Sequence, residues 1–201
     1  MNKKYFLLLS FLTAIILNKC GENNNKEIDY ANVFKPLDGT WSGEFMVYID
    51  TAGQQKGIAQ PTNIDFNNIK NPSLKILSVI KAKHIYRSVS DYRQEGEILD
   101  IIKKSDRTTD TIISKAINLV ENGNLKCFVY KPRETVIHDG EYLGNNTIVW
   151  KRSLSDPLRI EYFKETVHNG HYKIIGWGYY GNDDITLTPR YWFYADYSKD
   201  E

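Results

Sequence analysis

The chain of 201 residues has almost no net charge, with 26 Lys and Arg against 25 Asp and Glu, a formal +1. A broad positive field is therefore missing, and nucleic acid is set aside as a partner. Cysteine is scarce: Cys20 and Cys127 are the whole complement, so one disulfide at most is available. The apolar run near the N-terminus, Tyr5 to Leu17, is interrupted by Ser10 and Thr13. As a helix it would reach about 20 Å, short of a hydrocarbon core about 30 Å thick, which argues against a spanning segment. Short catalytic signatures are missing too: there is no Gly-x-Ser-x-Gly elbow, no His-Glu-x-x-His pair, no phosphate loop and no dinucleotide fingerprint. No catalytic residue, cofactor or metal is assigned on this basis. What the chain does have is rings. Fourteen Tyr, 8 Phe and 4 Trp accompany a hydrophobic content of 41%, enough for a folded core.

The basic start Asn2-Lys3-Lys4 followed by the short apolar run has the layout of a secretory signal peptide. It ends in Leu17-Asn18-Lys19-Cys20-Gly21, which resembles the lipobox of bacterial lipoproteins, with Leu17 in the matching position and Asn18 and Lys19 larger than the residues that family prefers. The resemblance implies removal of residues 1–19 and acylation of Cys20. The chain would then be anchored to a membrane of the bacterial cell envelope, at the outer membrane or cell surface, with plain secretion as the alternative. Residues 20–35 are poor in apolar side chains and read as a flexible tether, leaving 36–201 as one domain. Lys3, Lys4 and Lys19 all fall in the leader, so the mature chain is slightly acidic.

From Thr40, Trp41, Phe45, Val47 and Ile49 share one face of a strand and Thr40, Ser42 and Glu44 the other. Residues 51–71 form a long connection, and Leu74, Leu77 and Ile80 after Ser73 have the spacing of a short helix over 73–81, with a strand as the competing reading. Beyond His84, turn pairs recur at short intervals: Glu95-Gly96, Ser105-Asp106, Asn122-Gly123, Asp139-Gly140, Gly144-Asn145-Asn146, Asp156-Pro157, Asn169-Gly170 and Gly181-Asn182-Asp183. Segments rich in β-branched and aromatic residues lie between them. The expected fold is all-β, an antiparallel up-and-down barrel of about ten strands with a short helical segment after the first, since closure removes exposed edges. A β-sandwich is the competing architecture.

Gly39-Thr40-Trp41 at the first strand of such a series resembles the calycin superfamily of lipocalins and fatty-acid-binding proteins. That resemblance implies that Trp41 closes the barrel base beneath a late Arg, for which Arg190 is the candidate and Arg152 the second choice.

Several strands are mixed on both faces, as in 171–180 with Tyr172, Ile174 and Tyr180 opposite Lys173, Ile175, Trp177 and Tyr179, which suggests an inward side that lines a partly polar cavity. The candidate ligand contacts are Tyr86, Arg87, Trp150, Arg152, Tyr162, Trp177 and Tyr179, with Arg87 or Arg152 available to a carboxylate head group. Cys127, between Leu125 and Val129 on one strand face, reads as a buried structural thiol. His168 and His171 flank a turn without a third ligand beside them, and Asn182-Asp183-Asp184 lacks the ligand spacing of a calcium loop. Glu161 and Glu165 share a strand face but lie roughly 13 Å apart, too far for a local catalytic dyad. The leading functional reading is a non-catalytic, envelope-anchored barrel that binds a small, largely apolar ligand. The alternative is a surface lipoprotein that contacts carbohydrate or another envelope protein through aromatics near Tyr191 to Tyr197. A lyase or hydrolase built on the barrel stands behind both.

Overall fold

A computed structural model describes residues 29–56, 73–103 and 108–201. The leader, Cys20, most of the proposed tether and the Ser105-Asp106 turn lie outside the described residues. Ten strands follow in chain order: β1 Gly39–Asp50, β2 Leu74–Ser90, β3 Arg93–Lys103, β4 Thr109–Glu121, β5 Asn124–Tyr130, β6 Thr135–Gly144, β7 Thr147–Ser155, β8 Leu158–His168, β9 His171–Tyr180 and β10 Tyr191–Lys199. Each is antiparallel to its neighbours in sequence, and β1 pairs with β10, so the sheet closes into an up-and-down barrel. The only regular helix among the described residues is a 3₁₀ turn, Lys35–Leu37, before β1.

Turn chemistry sets the hairpins. Asn122-Gly123 and Asn169-Gly170 both adopt positive φ at the two central positions, the conformation that matches the twist of the flanking strands. Two of the expected turns are instead strand interiors. Gly96 is in the middle of β3, where a Cβ would lie 2.5 Å from the Tyr86 ring, and Gly140 in β6 lies directly under the Trp150 ring. Both glycines make room for a large ring on the adjoining strand. The β2–β3 turn falls earlier, beside Asp91 and Tyr92.

The helix expected over 73–81 is strand: residues from Leu74 onward are the first half of β2. Helical spacing of Leu74, Leu77 and Ile80 is outweighed by β-branched Ile76, Val79 and Ile80 and by pairing with β1 from Asp50↔Leu74 to Gly39↔Tyr86. The rest of that connection, 57–72, is outside the described residues.

Among the described residues, the barrel has a plugged end and an open end. Val33, Phe34 and Leu37, together with the 3₁₀ turn, cover the end where β1 begins. Phe34 stacks on Trp150 with ring centroids 6.4 Å apart, and Trp41 donates its indole N–H to the Leu37 carbonyl at 2.7 Å. Gln94, fully buried, donates to both the Phe34 carbonyl and Asp38, each at 2.8 Å, and accepts from Asn118 at 3.0 Å. Residues 30–35, read from the sequence as the end of the tether, are thus part of the packed domain.

Candidate functional site

Alternation along the strands sends one set of side chains into the lumen, where they enclose a cavity of about 490 Å³. Its waist is apolar, with Phe45, Ile80, Ile98, Phe163, Ile174 and Phe193. Phe163 and Phe193 stack at 5.3 Å over Gly176 of the strand between them, and Phe45 stacks on Phe193 at 5.8 Å.

The open end is charged and internally paired. Arg152, at the upper end of β7, contacts Glu134 at 3.2 Å and Glu161 at 3.6 Å, while Lys131 and Arg159 each approach Glu134 at 3.8 Å. Tyr180 donates its hydroxyl to Glu161 at 2.6 Å.

The closed end has a different chemistry. Glu165 lies one helix-free strand span, roughly 13 Å, below Glu161 on β8. It accepts a hydrogen bond from the Trp150 indole at 3.0 Å and another from Tyr172. Burial pushes its carboxyl up to about 7, against the pull of those two donors. Glu165 lines both the lumen and a smaller pocket beneath Phe34 and Leu37. Tyr86, Tyr172 and Tyr197 gather beside it, with hydroxyls raised in pKa by burial first, then by the Glu165 charge for Tyr86 and Tyr172, and by Asp100 ahead of Glu165 for Tyr197. His84 is 7% exposed, packs 4.8 Å from the Tyr197 ring, and has no hydrogen-bond partner at Nδ1 among the described residues. Burial brings its pKa down to about 4, so it is neutral. Ser114 also lines the lumen with a buried hydroxyl oxygen that lacks a partner among the described residues. His138, higher on β6, is held at about 4 by burial and by Arg152 and Lys131.

Of the seven expected ligand contacts, Tyr86, Trp150 and Arg152 line this cavity. The other four do not. Arg87 follows Tyr86 on β2 and points outward, into a surface groove with Ile85, Glu97 and Lys115. Tyr162, Trp177 and Tyr179 form an outer-face cluster on β8 and β9 with Tyr48, Trp192 and Tyr194. They are hidden because segments outside the barrel cover them: Tyr179 donates to the Leu187 carbonyl at 2.6 Å, and Trp192 to the Pro189 carbonyl at 3.1 Å.

Trp41 is buried at the base, 1% exposed and edge-on to Tyr172 at 5.9 Å. Arg190 is not over it. β10 runs from the open end to the base, so a residue before its start lies at the far end, where the Arg190 guanidinium meets Asp183 at 3.1 Å. The cation over Trp41 is Lys199, at the other end of β10, with Nζ 5.3 Å from the ring centroid.

Cys127 points into the lumen, and burial followed by the Glu165 charge raises its thiol pKa, which makes it a poor nucleophile. His168 and His171 are paired across the β8–β9 turn, but His171 directs Nδ1 to Asp196 at 2.8 Å. Glu165, His84 and Ser114 were missed as site residues. The shared face of Glu161 and Glu165 was the signal for the first; nothing local marks the other two.

No protein-family model matches the chain, and no curated protein matches it with significant similarity. The functional reading therefore rests on the geometry of the barrel.

Proposed function

We propose that this chain is an envelope-anchored binding protein whose barrel holds a small, largely apolar ligand, without catalysing a reaction on it. The observation that carries the reading is the lumen of about 490 Å³, open at one end among the described residues and ringed at its waist by Phe and Ile. A cavity of this size and lining falls in the range of small-molecule sites, which combine an apolar wall with a few placed polar groups. Burial favours the neutral forms of the deep groups, Glu165 below about pH 7 and His84 above about pH 4, and both suit hydrogen bonding between those limits. Resemblance to calycin barrels supports the same reading, and the lipobox-like Leu17 to Cys20 supports the anchor.

Titration of the purified protein with a fluorescent apolar probe tests the binding part. Trp150 lines the lumen, so saturable quenching of tryptophan emission is expected, with most of the signal lost in Trp150→Phe. A flat titration would sink the reading. Mass spectrometry of the mature N-terminus tests the anchor: a diacylated or triacylated Cys20 is expected, and an unmodified Cys20 still joined to Lys19 would remove it. A second reading, contact with carbohydrate or another envelope protein, is favoured by Tyr48, Trp192 and Tyr194 on the outer face, which keep partial exposure.

A further inference from the structure

A carboxyl group deep in an aromatic cavity is costly unless something answers its charge. The basic side chains that line the lumen are Lys131, Arg152 and Arg159, and all three are at the open end, engaged with Glu134 or Glu161. On the strands that flank β8, the inward groups near Glu165 are Trp150 and Arg152 from β7 and Tyr172 from β9, and Arg152 is paired with the two mouth carboxylates. Across the lumen Tyr86, Cys127 and Tyr197 feel its charge, and none of these is basic. The remaining titratable groups of the inner wall are His84, neutral and without a partner at Nδ1, His138, also neutral, and Asp100, a second carboxyl, raised in pKa by burial.

Among the described residues, the closed end therefore presents a carboxyl group without a counter-ion, with the Trp150 N–H and the Tyr172 hydroxyl directed at it. An anionic head group would meet no cation from these residues and would add a second negative charge in a poorly solvated space. A cation is answered by the carboxylate, and the attraction is stronger where water is excluded. Taking the ligand-binding reading as its base, we propose that the closed end of the barrel is a cation site, which takes the ammonium group of a small amphipathic amine. Glu165 is the counter-ion, held by Trp150 and Tyr172 and lined by Tyr86 and Tyr197, and the apolar waist holds the rest of the molecule.

A proton balance follows. A permanently charged quaternary ammonium ion does not titrate, so pairing with Glu165 requires the carboxyl to ionise and release one proton to solvent. Affinity for such an ion rises with pH as that proton becomes easier to remove.

The test uses the purified full chain and three probes with one decyl tail: decyltrimethylammonium, decanol and decanoate, each below its micelle concentration. At about pH 8 the ammonium probe is expected to bind about tenfold more tightly than decanol, with decanoate weakest, and at about pH 5 the advantage over decanol is expected to shrink to about twofold. Calorimetry in buffers of different ionisation enthalpy is expected to show proton release for the ammonium probe alone. Glu165→Gln removes the ammonium advantage and leaves decanol binding in place, whereas Asp100→Asn keeps the advantage. Decanoate binding as tightly as the ammonium probe, or an ammonium advantage that survives Glu165→Gln or disappears in Asp100→Asn, would overturn the proposal. The wild-type pH series and proton count decide the matter even if Glu165→Gln does not fold. If decanol binds without any preference for the cation, the cation site falls and the binding reading stands; if none of the three binds, both fall.

Discussion

The two faces of β9 and β10 are built from the same residue types and do different work. Inward, Tyr172, Ile174, Phe193 and Tyr197 surround the cavity. Outward, Ile175, Trp177, Tyr179, Trp192 and Tyr194 form an equally aromatic cluster, with Tyr162 stacked on Trp177 at 4.0 Å. Trp177 and Tyr179 are 3% and 2% exposed, as hidden as the lumen residues. The cover on that side comes from the chain flanking the barrel: Gln54 donates to the Asp184 and Thr188 carbonyls at 2.9 and 3.1 Å, tying the segment after β1 to the one before β10. Burial and inward orientation are thus separate properties. In this barrel Trp177 and Tyr179 of the outer cluster pack beneath the flanking chain, and the inner set encloses space.

The largest effect that can break this comparison is truncation of one indole on each side. Trp41→Ala at the base and Trp177→Ala on the outer face are both expected to cost about 3–5 kcal/mol, the range for large buried aromatics, read from the midpoint of urea unfolding. A cost for Trp177→Ala of less than about 0.5 kcal/mol, as for a surface position, would show that the outer cluster is not packed in solution.

Next in size is a pH effect confined to the inner face. Glu165 has a folded pKa of about 7, above its ordinary 4.5. Its protonated form is favoured by folding, so its contribution is fully present below the unfolded pKa and is lost as pH rises from about 4.5 through 7. The loss is roughly 3 kcal/mol by the linkage between pKa shift and stability. His84, lowered to about 4, works in the other direction: its contribution is present above its ordinary 6.5 and lost as pH falls toward 4. Subtracting the stability curve of Glu165→Gln from that of the wild type isolates the carboxyl. Relative to wild type the variant is expected to gain stability between pH 4.5 and 7, and a flat difference would remove the strain assigned to this group.

A third measurement concerns how closely neighbouring strands pack. Gly96→Ala places a methyl group against the Tyr86 ring at a position with no room for it. The expected cost is about 1–3 kcal/mol, as for overpacking, seen as a lower thermal midpoint. An unchanged midpoint would mean that Tyr86 swings freely into the lumen.

Much of the architecture was legible because its causes are local. Asn122-Gly123 and Asn169-Gly170 mark hairpins through their own backbone preferences, and period-two patterning located the strands between them. Gly96 and Gly140 misled for the complementary reason, since each answers a ring on another strand. Half of the site was obscure on the same grounds. Glu165, Trp150 and Tyr172 come from three strands, and only the register Trp150↔Phe163 and Glu165↔Ile174 brings them together. Choosing Trp177 and Tyr179 as lumen residues required knowing which face was inward, and both faces are aromatic. Val33 and Phe34, an apolar pair in an otherwise polar stretch, were the available sign that the packed domain begins before residue 36.

The smallest effect tests the direction of β10. Antiparallel pairing places Lys199 opposite Trp41, and its ammonium group lies over the indole at 5.3 Å. Arg190, at the other end, is bound to Asp183. Cation–π contacts at exposed sites contribute about 0.5–1 kcal/mol, so Lys199→Met is expected to lower stability by about that amount while retaining most of the apolar stem. Arg190→Met lacks this contact and leaves the environment of Trp41 unchanged. The readout that separates the two is the near-ultraviolet circular dichroism of the tryptophans together with the Trp41 indole N–H resonance. It is expected to shift in Lys199→Met and to hold still in Arg190→Met. The reverse result would put the arginine over the base after all and would require β10 to enter the barrel from the opposite end.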